Sequence, residues 1–392
     1  TGTPCNAIGL GIQRAHSLGR TVVYVNAGTY AESVLLVAGV TVEGGWNDVG
    51  GTWTQDCGAY PGKLAIIAPT SQPRAVVAVD LNGTASLSTL TIITTPTAGT
   101  SESVYGLFAT GAGMPTTVDL NDVAIIAANG GDGSAGSTGS PPPAAGNGCS
   151  VGDGNQGAPN SGTGTGGVAG MFDVNGYTPS SGGMGPTGGP GDNGTSPPGS
   201  SLSCWTCASG SSCSGSTTNG ASSSGSPGVP GCGGSGGPGG NGGAGGGASV
   251  GVFAWAATIS LTGGSVTSAN GGAGGAGGTG APGGAGGTGA VGAAGPSCST
   301  GCQVSGHCFP PPTGCLNICT GVTGNGSGGA GGPGGSGGAG GTGGGGAGGP
   351  TYAEYAGGGT VITASMSTMQ STGTGGMSLG NGTAGAAKVL GP

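Results

Sequence analysis

Short apolar runs alternate with polar and turn-forming residues through the first third of the chain, and there the ordinary pattern stops. Residues 7–18 predict a short helix. Residues 21–26, 33–42, 64–68, 75–81, 86–94, 105–110 and 117–127 read as β-strands, each broken off by Gly, Pro or Asn. Strands so short and evenly spaced fit a sandwich, a barrel or a coiled solenoid. All three are all-β.

A repeat decides among them. The chain reads YGLFATGAGMPTTVDLNDVAIIAANGGDG from Tyr105 and VGVFAWAATISLTGGSVTSANGGAG from Val250. Both copies hold Gly-apolar-Phe-Ala, a strand with Leu120 or Leu261, and Ala-Asn-Gly-Gly at 128–131 or 269–272. A weaker third copy covers 355–373. A unit of about 25 residues that cannot bury its own apolar face stacks on its copies. That predicts a solenoid.

Two excursions separate the copies, and both leave from the Ala-Asn-Gly-Gly corner. The expected organisation is a cap and coils over 1–129, a first excursion over 130–248, a coil over 249–270, a second excursion over 271–350 and C-terminal coils over 351–392. In the second excursion Gly stands at every third position from Gly271 to Gly295, and Gly-Gly-X triplets return over 328–344. This spells out, tip and back. Triplet runs at 130–139, 164–170, 182–194 and 233–245 give the first excursion four legs.

Composition sharpens the picture. Of 392 residues 107 are Gly and 26 Pro, so about a third of the chain carries no ordinary core-forming side chain, and a conventional enzyme core is not expected. A three-residue glycine period matches the turn of polyproline II, which has no internal hydrogen bonds and turns every N–H and C=O outward. The legs therefore predict a polyglycine II bundle bonded sideways. With 13 acidic residues against 5 basic ones, Arg14, Arg20, Lys63, Arg74 and Lys388, the chain has no cationic cluster, which excludes nucleic acid as a main partner. No apolar run is long enough to span a bilayer.

Twelve cysteines are present: Cys5, Cys57, Cys149, Cys204, Cys207, Cys213, Cys232, Cys298, Cys302, Cys308, Cys315 and Cys319. An even number clustered in Gly, Ser and Pro indicates disulfide-linked loops and a secreted protein, with Thr1 as its mature N-terminus. Cys5 with Cys57 is the expected first pair. Each excursion holds five cysteines, an odd number, so full pairing needs a bridge between the excursions or to another molecule.

The stretch TVVYVNAGTYAESVLLVAGVTVEGGW at 21–46, with Pro4-Cys5 before it and Trp53 to Cys57 after it, resembles the opening coils of secreted right-handed parallel β-helix proteins of myxobacteria-like bacteria with Gly-rich exteriors. The resemblance covers about 60 residues well. It implies a helical N-terminal cap, β-helical coils and placement at the cell surface. The Gly-Gly-X legs are similar in composition and period to those of springtail antifreeze proteins and some phage tail-fibre adhesins, which form polyglycine II bundles.

Candidate chemistry is sparse. Cys204-Trp-Thr-Cys207 has redox spacing without a strand-to-helix context, and Cys298, Cys302, His307, Cys308, Cys315 and Cys319 have zinc-ligand residue types; structural disulfides are the simpler reading of both. His16 falls in the helix as a surface residue. Asp80, Asp119 and Asp122 are the central acids of a pectinase-like alternative, and Asp119 and Asp122 are expected to cap turns instead. Asn82, Asn193, Asn325 and Asn381 begin glycosylation sequons that also suit tight turns. Trp46, Trp53, Trp205 and Trp255 are too dispersed along the sequence for a sugar-stacking platform, and Trp255 is expected to pack between coils.

These observations lead to a non-enzymatic extracellular protein with no cofactor and no metal. Its expected partner is itself, in a homopolymer joined head-to-tail or laterally, with glycans or other surface components as further partners. The alternative is an adhesin or ice-binding module that displays the legs and their Cys-rich tips.

Overall fold

The computed structural model describes residues 5–55, 65–94, 98–203, 222–296, 325–365 and 367–391. The predicted helix forms at Ile8–Ser17 (α1), with Ile8, Ile12 and Ala15 buried at helical spacing. Ala7 offers its N-terminus no side-chain cap. Glu32 does so from a distance, accepting hydrogen bonds from Ile8 N at 2.5 Å and Gly9 N at 3.1 Å. The helix packs on the first strands and closes one end of the core.

The rest of the described regular structure is β, gathered mainly into three parallel sheets. The first contains Val22–Asn26, Thr41–Val49, Gly83–Ser88, Thr116–Asn121, Thr258–Thr262 and Val361–Ala364, with Thr52–Gln55 antiparallel beside Thr41–Val49. The second contains Gly28–Tyr30, Ala65–Ile67, Thr91–Ile93, Ala124–Ala127, Ser265–Ser268 and Met369–Thr372. The third contains Val34–Leu35, Arg74–Val79, Val104–Thr110, Ser249–Trp255, Thr351–Gly357 and Ala387–Gly391. The chain visits first, second and third in that order again and again. Each circuit adds one strand to each sheet.

Register turns this circuit into ladders of like residues. Val42, Leu87, Leu120 and Leu261 line up in the first sheet, Ile67, Ile92, Ile125 and Val266 in the second, and Val76, Leu107 and Val252 in the third. All are buried. Burying each such side chain contributes about 1.5–3 kcal/mol, so the core is a column between the sheets. The glycine of the repeated Gly-apolar-Phe-Ala motif lies against this column: a Cβ on Gly106 would stand 2.3 Å from Ile125 Cγ2, and one on Gly251 2.5 Å from Val266 Cγ1. The repeat is a packing requirement.

Three expected strands are split. Residues 86–94 and 117–127 bend from the first sheet into the second at Thr89 and Asp122, whose φ angles are 52° and 53°. The next circuit makes the same corner with Gly263 and Gly264. The expected run 33–42 is likewise two strand segments and a turn, because only Val34–Leu35 pairs before Thr41. Residue 64, expected to open a strand, lies outside the described residues.

Both long glycine-rich insertions leave after a second-sheet strand, Ala124–Ala127 or Ser265–Ser268, and return at a third-sheet strand, Ser249–Trp255 or Thr351–Gly357. Residues 373–386 occupy the same corner one circuit later. The insertions thus emerge stacked, one above another.

Candidate functional site

The insertions are built as straight legs. Residues 130–146, 152–170, 180–200 and 225–247 form the first four, and 271–295 and 325–349 the fifth and sixth, with every leg bonded to others by backbone N–H···O=C bonds. Gly272, Gly275, Gly278, Ala281, Gly284, Gly287 and Ala290 of the fifth leg donate to the fourth at 2.8–2.9 Å. The step is three residues. Gly231, Gly234, Gly237, Gly240 and Gly243 of the fourth donate to the sixth in the same rhythm, at 2.8–3.0 Å. The partners of all legs are those of two stacked rows: first, fourth and third over fifth, sixth and second.

Glycine is required where the legs approach closest, although Ala281 and Ala290 keep the same donor register. A Cβ on Gly278 would stand 2.1 Å from Ser137 O, and one on Gly240 2.0 Å from Gly278 O. Backbone fills the space a methyl group needs. The third residue of each triplet is free of this: Ala276, Thr279, Pro282, Ala285 and Thr288 are exposed along the fifth leg, and Ala330, Pro333, Ala339 and Thr342 along the sixth. The sixth leg then places Gly345 and Gly348 where that series would continue. There 373–386 crosses it, Gly345 N donating to Asn381 Oδ1 at 3.0 Å and Gly348 N to Thr383 O at 2.8 Å.

A hairpin, Met171–Asp173 with Gly176–Thr178, joins the second and third legs and clasps them to the third sheet. Parallel register stacks Phe108, Phe253 and Tyr355 on that sheet's outer face. Phe172 of the hairpin lies 3.9 Å from Tyr355, ring centroid to centroid. Tyr177 N donates to Tyr105 Oη at 2.7 Å, and burial pushes the Tyr177 phenol up to about 12. Arg74 lies 3.6 Å from the Phe108 centroid and donates from Nη2 to Asn175 O at 2.6 Å. The legs are thereby fixed to the sheets at their base.

One disulfide holds them farther out. Cys149, just beyond the first leg, is bonded to Cys232 on the fourth, 83 residues later. Cys5 makes no disulfide with a described residue. Its expected partner Cys57 lies outside the described residues, as do Cys204, Cys207, Cys213, Cys298, Cys302, His307, Cys308, Cys315 and Cys319.

An unforeseen ionisable group closes the column. Glu354 stands in register with Val252 and is 3% exposed, and Gln370, in register with Val266, donates from Nε2 to its Oε1. Burial pushes the Glu354 carboxyl up to about 7, and the Gln370 bond offsets part of the rise. Aligning residues 351–357 with 249–255 exposes the signal: a charge at a repeat position that is otherwise apolar.

The other expected residues are scattered. Asp80 Oδ1 accepts from Gly113 N and Met114 N at 2.8 and 3.1 Å and so fixes a turn, Asp119 sits mid-strand and Asp122 forms a corner. Four surface grooves hold at most one carboxylate each among their described residues. No group of three potential metal-ligating residues occurs among the described residues. The Asn193 and Asn381 amides are built into the lattice, Asn381 Nδ2 donating to Gly164 O at 2.8 Å and Gly233 N donating to Asn193 Oδ1 at 3.0 Å; Asn82 and Asn325 are exposed. The tryptophans are less dispersed in space than in sequence. Trp46 and Trp53 meet at 6.4 Å beside Tyr24, Trp255 packs against the third-sheet aromatic cluster, and Trp205 lies outside the described residues. No described helix is long and apolar enough to cross a membrane.

No protein-family model, curated protein or solved structure shows significant similarity to this chain.

Proposed function

We propose that the chain is a non-enzymatic, secreted structural protein: a right-handed parallel β-helix that carries a polyglycine II bundle and self-assembles into an extracellular filament or surface layer. The observation that carries this reading is the double row of legs bonded sideways through every third amide and clasped to the sheets. Such a lattice has no interior for chemistry. Its faces are mostly small, uncharged side chains at regular spacing, with Val168, Met184 and Val291 also exposed, which suits dry contact with another copy and makes that contact insensitive to salt. At the capped end Leu10 and Leu18 are 48% and 68% exposed around α1, so a head-to-tail joint there uses side chains and leaves the strand ladders discontinuous.

Negative-stain microscopy and sedimentation velocity of the purified chain test the reading. Open polymers are expected, and Ala276→Lys with Ala339→Lys, both at exposed third positions, should disperse them without lowering Tm. Particles that remain monomeric at every concentration would contradict self-assembly. They would favour a second reading, a module that binds ice or another surface, supported by threonine pairs tying neighbouring legs at 3.2 Å, Thr138 with Thr279 and Thr163 with Thr342.

A further inference from the structure

At the capped end a groove of about 600 Å³ runs between α1, the first strand and the antiparallel pair Thr41–Val49 and Thr52–Gln55. Its floor is apolar, with Ile8 and Val25 each 3% exposed. Its walls are aromatic and open to solvent: Tyr24 is 53% exposed and Trp53 43%. Trp46 contacts both rings, edge-to-face with Tyr24 at 4.8 Å and tilted against Trp53 at 6.4 Å, so each outer ring has an aromatic neighbour. Rings of that size are ordinarily covered. Here two of them flank one recess, which an isolated exposed aromatic would not do.

The rim is polar and already oriented. Asn26 Oδ1 accepts from Asp48 N at 3.0 Å, and Asp48 Oδ1 accepts from Gly51 N at 2.8 Å. These bonds leave Asn26 Nδ2 as a donor and Asp48 Oδ2 as an acceptor, held at fixed positions beside the rings. Asp48 is the single charged residue among the described lining residues. An anionic ligand would meet a carboxylate and no lining cation. A ligand with apolar C–H faces and hydroxyl edges satisfies both kinds of surface at once, because the faces pack on aromatic rings while the hydroxyls reach amide and carboxylate.

We infer that this groove binds a neutral saccharide chain, with Tyr24 and Trp53 as the stacking platform and Asn26 and Asp48 as its polar contacts. The site lies at the opposite end of the sheets from Glu354 and involves none of the legs, so it stands whether or not the legs self-associate. In an assembly joined laterally, which leaves the capped end free, it would attach that end to surrounding polysaccharide.

Titration calorimetry of the full chain with cellohexaose, xylohexaose and N-acetylchitohexaose tests the inference. At least one hexasaccharide should bind, and Trp53→Ala and Tyr24→Ala should each weaken it about tenfold or more. Trp53→Phe keeps an aromatic face and should stay within about threefold of the parent. Val291→Ser, on the fifth leg, should bind as the parent does. A readout on the unaltered chain guards against misfolded variants: saturating saccharide should slow oxidation of Trp53 by N-bromosuccinimide and leave that of Trp255 unchanged. No heat and no protection with any of the three at roughly 1 mM would overturn the assignment. So would binding that survives Trp53→Ala undiminished, or a preference for tetramethylammonium or polygalacturonate over all three.

Discussion

A single methyl group decides the fit at Gly278. At Gly278 it would be forced to 2.1 Å from a carbonyl oxygen, whereas Ala276 two residues earlier is exposed and carries one already. Gly278→Ala should destabilise the bundle by about 1–3 kcal/mol, and Ala276→Ser should stay within about 0.5 kcal/mol of the parent; guanidinium melts of the two variants measure the contrast. Glu354 adds a pH dependence. Its carboxyl holds a proton up to about pH 7 in the folded chain and releases it at an ordinary carboxylate value when unfolded. Below that ordinary value both states are protonated; between it and about 7 only the folded state is, so stability falls as pH rises and then levels off. The loss should be on the order of 3 kcal/mol across the window. Glu354→Gln should flatten the profile, and an unchanged slope would show that the charge is not confined in the column.

Elements differ in how far the sequence reveals them. The triplet register of 271–295 and the repeated Gly-apolar-Phe-Ala motif are local in period, so both can be read directly, and parallel β structure follows from stacking the copies. Corners are harder. Thr89 and Asp122 turn the chain at positive φ without a glycine to mark the place, which is why two pairs of strands read as two long ones. Partners among the legs are hidden altogether, since any triplet of glycine fits any other. The groove at the capped end was invisible for a related reason: Tyr24, Trp46 and Trp53 meet only when the first strand, its neighbour and the antiparallel strand are assembled. The disulfide is an element-scale tie. Replacing Cys149 and Cys232 with Ala should cost about 2–4 kcal/mol and loosen the outer legs while the sheets stay protected, as hydrogen exchange resolved by segment would report. Equal loosening at 118–125 would mean that legs and sheets unfold as one unit.

At the scale of the whole molecule two devices solve opposite problems. The column buries apolar side chains and needs little from glycine except at the tight approach to Ile125 and Val266. The lattice buries almost nothing apolar and is held by backbone bonds, each contributing about 0.5–1.5 kcal/mol net against a backbone entropy cost of about 1–2 kcal/mol per residue. That balance is close, so the aromatic clasp at the base and the disulfide farther out carry weight beyond their own contacts. The lattice, and the structural role proposed for the chain, then depend on the legs being bonded in threes. Amide hydrogen exchange of the fifth leg, read residue by residue, tests this most directly. Amides at 275, 278, 281, 284, 287 and 290 should exchange slowly and those at 276, 277, 279 and 280 fast, a three-residue alternation that follows the bonds to the fourth leg. Uniformly fast exchange across 272–290 would contradict the lattice and with it the structural role proposed for the chain.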